Sequence, residues 1–181
     1  MIESDERGFL SAGISLSLLT VTLIAVGFAF LSFMKLVLME RADLELQQEI
    51  DGAMRVLDTD AMESSTYEIH DTGSNMRIAF QKERSDESQD TEKEDSRTET
   101  SGVTYETRQK NGLVKFCRIR YASSVPQPMT GESMFGDVTI ESFRVEEMPG
   151  GGIHVALEGR SRRTGHAYRQ TAVYSFLERK S

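Results

Sequence analysis

Residues 9–34 read FLSAGISLSLLTVTLIAVGFAFLSFM, an uncharged run from Phe9 to Met34 on which the reading of the whole chain turns. At about 1.5 Å of rise per residue its helix would reach roughly 39 Å, more than the ~30 Å hydrocarbon core of a bilayer. A helix bonds every backbone amide within itself, so a run of Leu, Ile, Val, Ala and Phe can lie in lipid with no polar group left bare. Lys35 is the first charge beyond it, placed where a long side chain reaches the interface. Working outward in both directions, the flanks must explain what this helix carries and how it is made.

On the C-terminal side, residues 36–62 read LVLMERADLELQQEIDGAMRVLDTDAM. Leu46, Ile50, Ala53, Met54 and Leu57 recur at steps of three and four, with Glu45, Glu49, Arg55 and Asp58 between them. That spacing predicts one helix continuing out of the membrane into water, with a charged outer face and an apolar stripe that strands must cover. The stripe spans too few heptads for a coiled coil. Gly52, which costs about 1 kcal/mol relative to Ala, is the expected place for any bend.

After Met62 the period changes to two. TYEIHD (66–71) and MRIAFQ (76–81) predict two strands about a turn at residues 72–75. VTYETRQ (103–109), Asn111-Gly112 and LVKFCRIRY (113–121) predict a hairpin with a two-residue turn, because Asn-Gly supplies the two positive φ angles that such a turn needs. Residues 122–136, with Pro126, Pro128, Gly131 and Gly136, read as a loop. DVTIESFRVEEM (137–148) changes the parity of its apolar residues midway, which a one-residue bulge near Glu141 would repair. The turn at Pro149–Gly152, a return strand bearing Ile153, Val155 and Leu157, and AYRQTAVYSFL (167–177) complete the set. The expected class is α+β: a long N-terminal transmembrane-plus-amphipathic helix packed on an antiparallel β-sheet of hairpins.

Composition narrows the chemistry. A formal charge of −8 over 181 residues argues against broad electrostatic binding to nucleic acid or anionic lipid. Residues 81–101, QKERSDESQDTEKEDSRTETS, hold eight acids, four bases and no large apolar side chain, so a disordered acidic loop is expected over 82–101. The single cysteine, Cys117, has no partner for an internal disulfide and reads as a small buried apolar residue. His70 has no His or Cys nearby in sequence and reads as a surface histidine. No Ser/His/Asp, Cys/His or paired-carboxylate constellation stands in a credible context, so neither an enzyme nor a cofactor is expected. Arg160, Arg162 and Arg163 form the one dense basic group outside the membrane flank, the candidate for contact with DNA phosphates.

The N-terminal flank decides what kind of membrane helix this is. A secretory signal has a basic start, a shorter apolar segment and a small-residue cleavage site after it. Here MIESDERG is acidic and the apolar run is long. A cut between Gly8 and Phe9 would leave a mature chain that begins with its own membrane helix. This arrangement resembles type IV pilins and pseudopilins, in which a prepilin peptidase cleaves after glycine and N-methylates the new terminal Phe. The order of elements agrees with that family, and the tail HAYRQTAVYSFL (166–177) is similar to the closing strand of competence-pilus minor pilins of the ComGF type.

The resemblance implies a leader at 1–8, a transmembrane helix at 9–34, an amphipathic helix at 35–63 and an extracytoplasmic β domain at 64–181. It implies cleavage between Gly8 and Phe9 and methylation of Phe9. The fifth mature position, Glu in most of the family, is Gly13 here, which moves the expectation from a major to a minor or tip subunit. Small residues four apart suit close helix packing: Ser11 with Ser15, Gly13 with Ser17, and Ala25 with Ala29. The partners implied are other pilin or pseudopilin subunits, the prepilin peptidase, an inner-membrane assembly platform and membrane lipid, with DNA as a further one. The alternative is a single-pass anchored binding or sensor module unrelated to pili.

Overall fold

The computed structural model describes residues 3–73, 75–82, 101–121, 123, 125–131 and 137–176, with side chains described from residue 13 onward and excluding that of Ser101. The expected acidic loop lies, but for its two end residues, outside these, as do residues 132–136 of the expected 122–136 loop and Leu177 of the last strand.

One helix, α1, spans Glu3–Met62 and contributes to two compact units, Met1–Arg41 and Ala42–Ser181. In the first unit the helix stands alone, and its stretch from Gly13 is long and apolar enough to cross a membrane. The backbone of Gly8 and Phe9 is helical.

The second unit is an α+β domain. Its part of α1 buries Leu46, Ile50, Ala53, Met54 and Leu57, the stripe that the three-and-four spacing predicts, and extends it to Ala42 and Ala61. The helix is unbroken through Gly52, where a Cβ would meet open space.

The strands are β1 (Thr66–Asp71), β2 (Met76–Lys82), β3 (Ser101–Lys110), β4 (Leu113–Arg120), β5 (Gln127–Pro128), β6 (Val138–Met148), β7 (Gly152–Ser161) and β8 (Ala167–Ser175). They form two antiparallel sheets, one of five strands in the order β1-β2-β3-β4-β5 and one of three in the order β6-β7-β8. The expected loop 122–136 therefore contains a strand. Gln127 and Pro128 pair with Arg118 and Cys117 at the edge of the larger sheet, a position that proline tolerates because its missing N–H faces away from the ladder.

Local chemistry fixes the connections. Asn111 and Gly112 have φ of 53° and 74°, so the β3–β4 hairpin closes on the two-residue turn that the pair predicts. The register of β6 against β7 slips between Ile140 and Ser142, placing the bulge at Glu141. The slip brings Val138 and Ile140 before it, and Phe143 and Val145 after it, onto one buried face.

The core lies where the inner faces of both sheets meet the helix. Ile78, Phe80, Tyr105 and Phe116 come from the larger sheet; Val138, Ile140, Phe143, Val145, Ile153, Val155, Leu157 and Tyr174 come from the smaller. Phe116 and Phe143 join the sheets edge to face, with ring centroids 4.9 Å apart. The helix packs tightly on Gly159 of β7, where an added Cβ would lie 2.8 Å from Cδ1 of Ile50.

Candidate functional site

The first candidate surface is the apolar helix of the N-terminal unit. Its large side chains from Ile14 to Leu36 are exposed on every face of the helix. Three hydroxyls within it are satisfied locally: Ser17 donates to the Gly13 carbonyl at 2.9 Å, Thr20 to Leu16 at 2.8 Å and Thr22 to Leu18 at 2.7 Å. Back-bonding of this kind lets these hydroxyls lie in an apolar medium.

The expected helix-packing residues Gly13, Ser17, Ala25 and Ala29 are all exposed, so within this one chain none of them is a packing contact. Ala29 stands between the exposed rings of Phe28 and Phe30, and a Cβ at Gly13 would meet open space. Close approach at these positions therefore needs a helix from another molecule. Successive residues turn by about 100°, so the pair Gly13 and Ser17 and the pair Ala25 and Ala29 centre on faces roughly 120° apart. The two pairs present close-approach surfaces in different directions. The side chain of Ser11, in the third pair, lies outside the described residues.

The second candidate is the arginine group at the β7–β8 turn. Arg160 holds Glu141 in a two-pronged pair, with Nη2 to Oε2 at 3.1 Å, and also donates to the Gly165 carbonyl at 2.6 Å. Arg163 pairs with Asp137 at 2.9 Å. The Arg160 bond holds the Glu141 carboxyl below its ordinary value. Two of the three cations are thus matched by carboxylates that lie 19 and 26 residues away in sequence, leaving Arg162 exposed beside them. The tip is therefore far less basic than its sequence.

A different basic surface emerges from the strand register. Arg77, Glu106 and Cys117 lie side by side across β2, β3 and β4, and Arg108 faces Lys115 one rung along. These residues occupy the sheet face turned away from the core. Glu106 is almost fully buried, accepting from Nη2 of Arg77 at 2.5 Å and from Nε of Arg108, while both arginine side chains stay about half exposed. Lys115 is tied down, its Nζ donating to the Gly131 carbonyl at 2.8 Å. Burial pushes the Cys117 thiol up, against the pull of Arg108, Lys115 and Lys110 nearby. Cys117 is buried, as its sequence suggests, and by neighbours on this outer face. His70 is at the surface 3.5 Å from Glu68.

Carboxylates on α1 bind the helix to the strands. Asp60 receives both Nε and Nη2 of Arg118, at 2.7 and 2.6 Å, together with the hydroxyl of Tyr105. Burial, reinforced by Asp60, raises the Tyr105 phenol well above its ordinary range. Glu49 accepts the Gly131 N–H at 2.6 Å, Asp51 accepts the Tyr168 hydroxyl at 3.0 Å, and Asp43 binds Thr164 at 2.5 Å and His166 at 2.6 Å. Glu49, expected on a solvated outer face, is instead a docking group.

Sequence reasoning missed the Arg77–Glu106–Arg108 and Asp60–Arg118 groups because their members lie 29 and 58 residues apart. The alternation of Glu106 and Arg108 within β3 was the one local signal, since residues two apart share a face. Among the described residues no three His, Cys, Asp or Glu side chains gather where they could hold a metal ion. Compared with known protein families, characterised proteins and solved structures, the chain matches none.

Proposed function

We propose that this chain is a minor pilin or pseudopilin: a structural subunit of a type IV pilus-like filament, serving competence or type II-like secretion, placed at or near the tip. The observation that carries the reading is an exposed apolar helix that continues as a buried amphipathic stripe under a β domain, behind a Gly8-Phe9 junction. An apolar helix with Ser17, Thr20 and Thr22 bonded to its own carbonyls suits both a bilayer and a filament core, where neighbouring helices replace lipid. The prepilin peptidase would cut after Gly8 and methylate Phe9. The chain would sit in the cell membrane by one span, its β domain extracytoplasmic, until an assembly platform moves it into the filament among other pilin subunits. Gly13 in place of a carboxylate favours a low-copy position.

Mass spectrometry of the chain expressed with a prepilin peptidase tests this. A mature form that begins at N-methylated Phe9 supports the reading. Retention of Met1 in the presence of active peptidase overturns it in favour of an anchored module.

A further inference from the structure

The outer face of the five-stranded sheet carries two features that proteins use together on single-stranded nucleic acid: fixed cations and an exposed aromatic ring. Arg77 and Arg108 converge on the buried Glu106, while each arginine side chain stays about half exposed. Lys110, at the end of β3 and exposed, has the same parity as Glu106 and Arg108 and acts on the Cys117 thiol of that face. At the other end of β3, the ring of Tyr121 lies over Gly102: a Cβ on Gly102, pointing to this same face, would be 2.9 Å from Cδ2 of Tyr121. Tyr121 is 62% exposed, so an aromatic side chain stands open to stacking on the face that holds the cations.

We propose that this face binds single-stranded nucleic acid, with Arg77, Arg108 and Lys110 on successive phosphates and a base stacked on Tyr121. Aromatic stacking with backbone neutralisation is sequence-tolerant, because every base has a π face and every nucleotide a phosphate. The opposing charges on the described part of the face are Glu68 and Glu106, and the sequence 82–101 adds eight acids against four bases. Affinity is accordingly modest and confined to short contacts. The site is distinct from the β7–β8 turn, where carboxylates hold Arg160 and Arg163, and it does not depend on the filament reading.

The test uses the full chain in nanodiscs of neutral phosphatidylcholine and a labelled oligothymidylate of about 15 nucleotides, followed by fluorescence anisotropy. Three phosphate contacts predict a slope of about −2 for log affinity against log salt. Tyr121→Leu should weaken binding roughly tenfold or more, and Lys110→Gln should weaken it and flatten the slope by about 0.7, while Arg162→Gln leaves it unchanged. Absence of binding at low salt, equal affinity of wild type and both face variants, or tighter binding of a duplex of the same length would each overturn the proposal. Full displacement by phosphatidylglycerol vesicles, with Tyr121→Leu behaving as wild type, would overturn it in favour of a lipid surface. A chain that retains Met1 yet binds the oligonucleotide through Tyr121 fails the filament reading and passes this one.

Discussion

At the scale of single residues, the Asp60–Arg118 pair carries a large energetic stake, since both side chains are only 12% exposed. Arg118→Met leaves a carboxylate buried without its counter-charge, and breaking one partner of such a pair costs about 3 kcal/mol or more. Tyr105→Phe removes one hydrogen bond to the same carboxylate, keeps its counter-charge, and should cost less, about 1.5–2 kcal/mol. Urea denaturation of the full chain in detergent, followed by circular dichroism, measures both. Equal losses in the two variants would show that the charge pair is not the dominant partner. Asp43 supplies a pH dependence. Its bond from Thr164, then those from His166, lower its pKa below the ordinary 3.8. A carboxylate whose folded pKa is depressed stabilises the fold above the unfolded value and loses that contribution as pH falls through the folded one. Wild-type melting temperature should therefore drop below about pH 4 more steeply than that of Asp43→Asn, whose amide cannot titrate. Parallel curves would remove Asp43 from the acid response.

At the scale of elements, two glycines differ by what surrounds them. Gly52 lies in an exposed helix interior with nothing near its missing Cβ, so Gly52→Ala should stabilise by about 0.5–1 kcal/mol through helix propensity. Gly159 faces Ile50 and Leu46 at 2.8 and 3.3 Å, so Gly159→Val must push the helix stripe away from β7 and should cost about 1–3 kcal/mol. Thermal melts of the two variants should move in opposite directions. The stripe, the Asn-Gly hairpin and the bulge at Glu141 were legible in sequence because each depends on neighbours within a few residues. The short strand at Gln127–Pro128 was not, because two residues carry no periodicity and their strand character comes from the edge of β4.

At the scale of the whole molecule, the N-terminal unit makes a prediction of its own. An arginine at the centre of a membrane span costs about 2.5–3.5 kcal/mol for insertion, so Leu23→Arg should shift the chain from the alkali-resistant membrane fraction toward the soluble or degraded one. An unchanged fraction would mean that the run does not sit across a bilayer.

The sequence by itself determined the apolar helix, its amphipathic continuation and most strand boundaries, since hydrophobic period and turn chemistry are local properties of a chain. Only the tertiary structure decided how the strands divide between two sheets and which charges meet. It paired Arg160 and Arg163 with carboxylates, turned Asp43, Glu49, Asp51 and Asp60 into docking groups, and set Arg77 and Arg108 about a buried Glu106. These meetings depend on strand register and long-range packing, which bring together residues that no spacing along the chain relates.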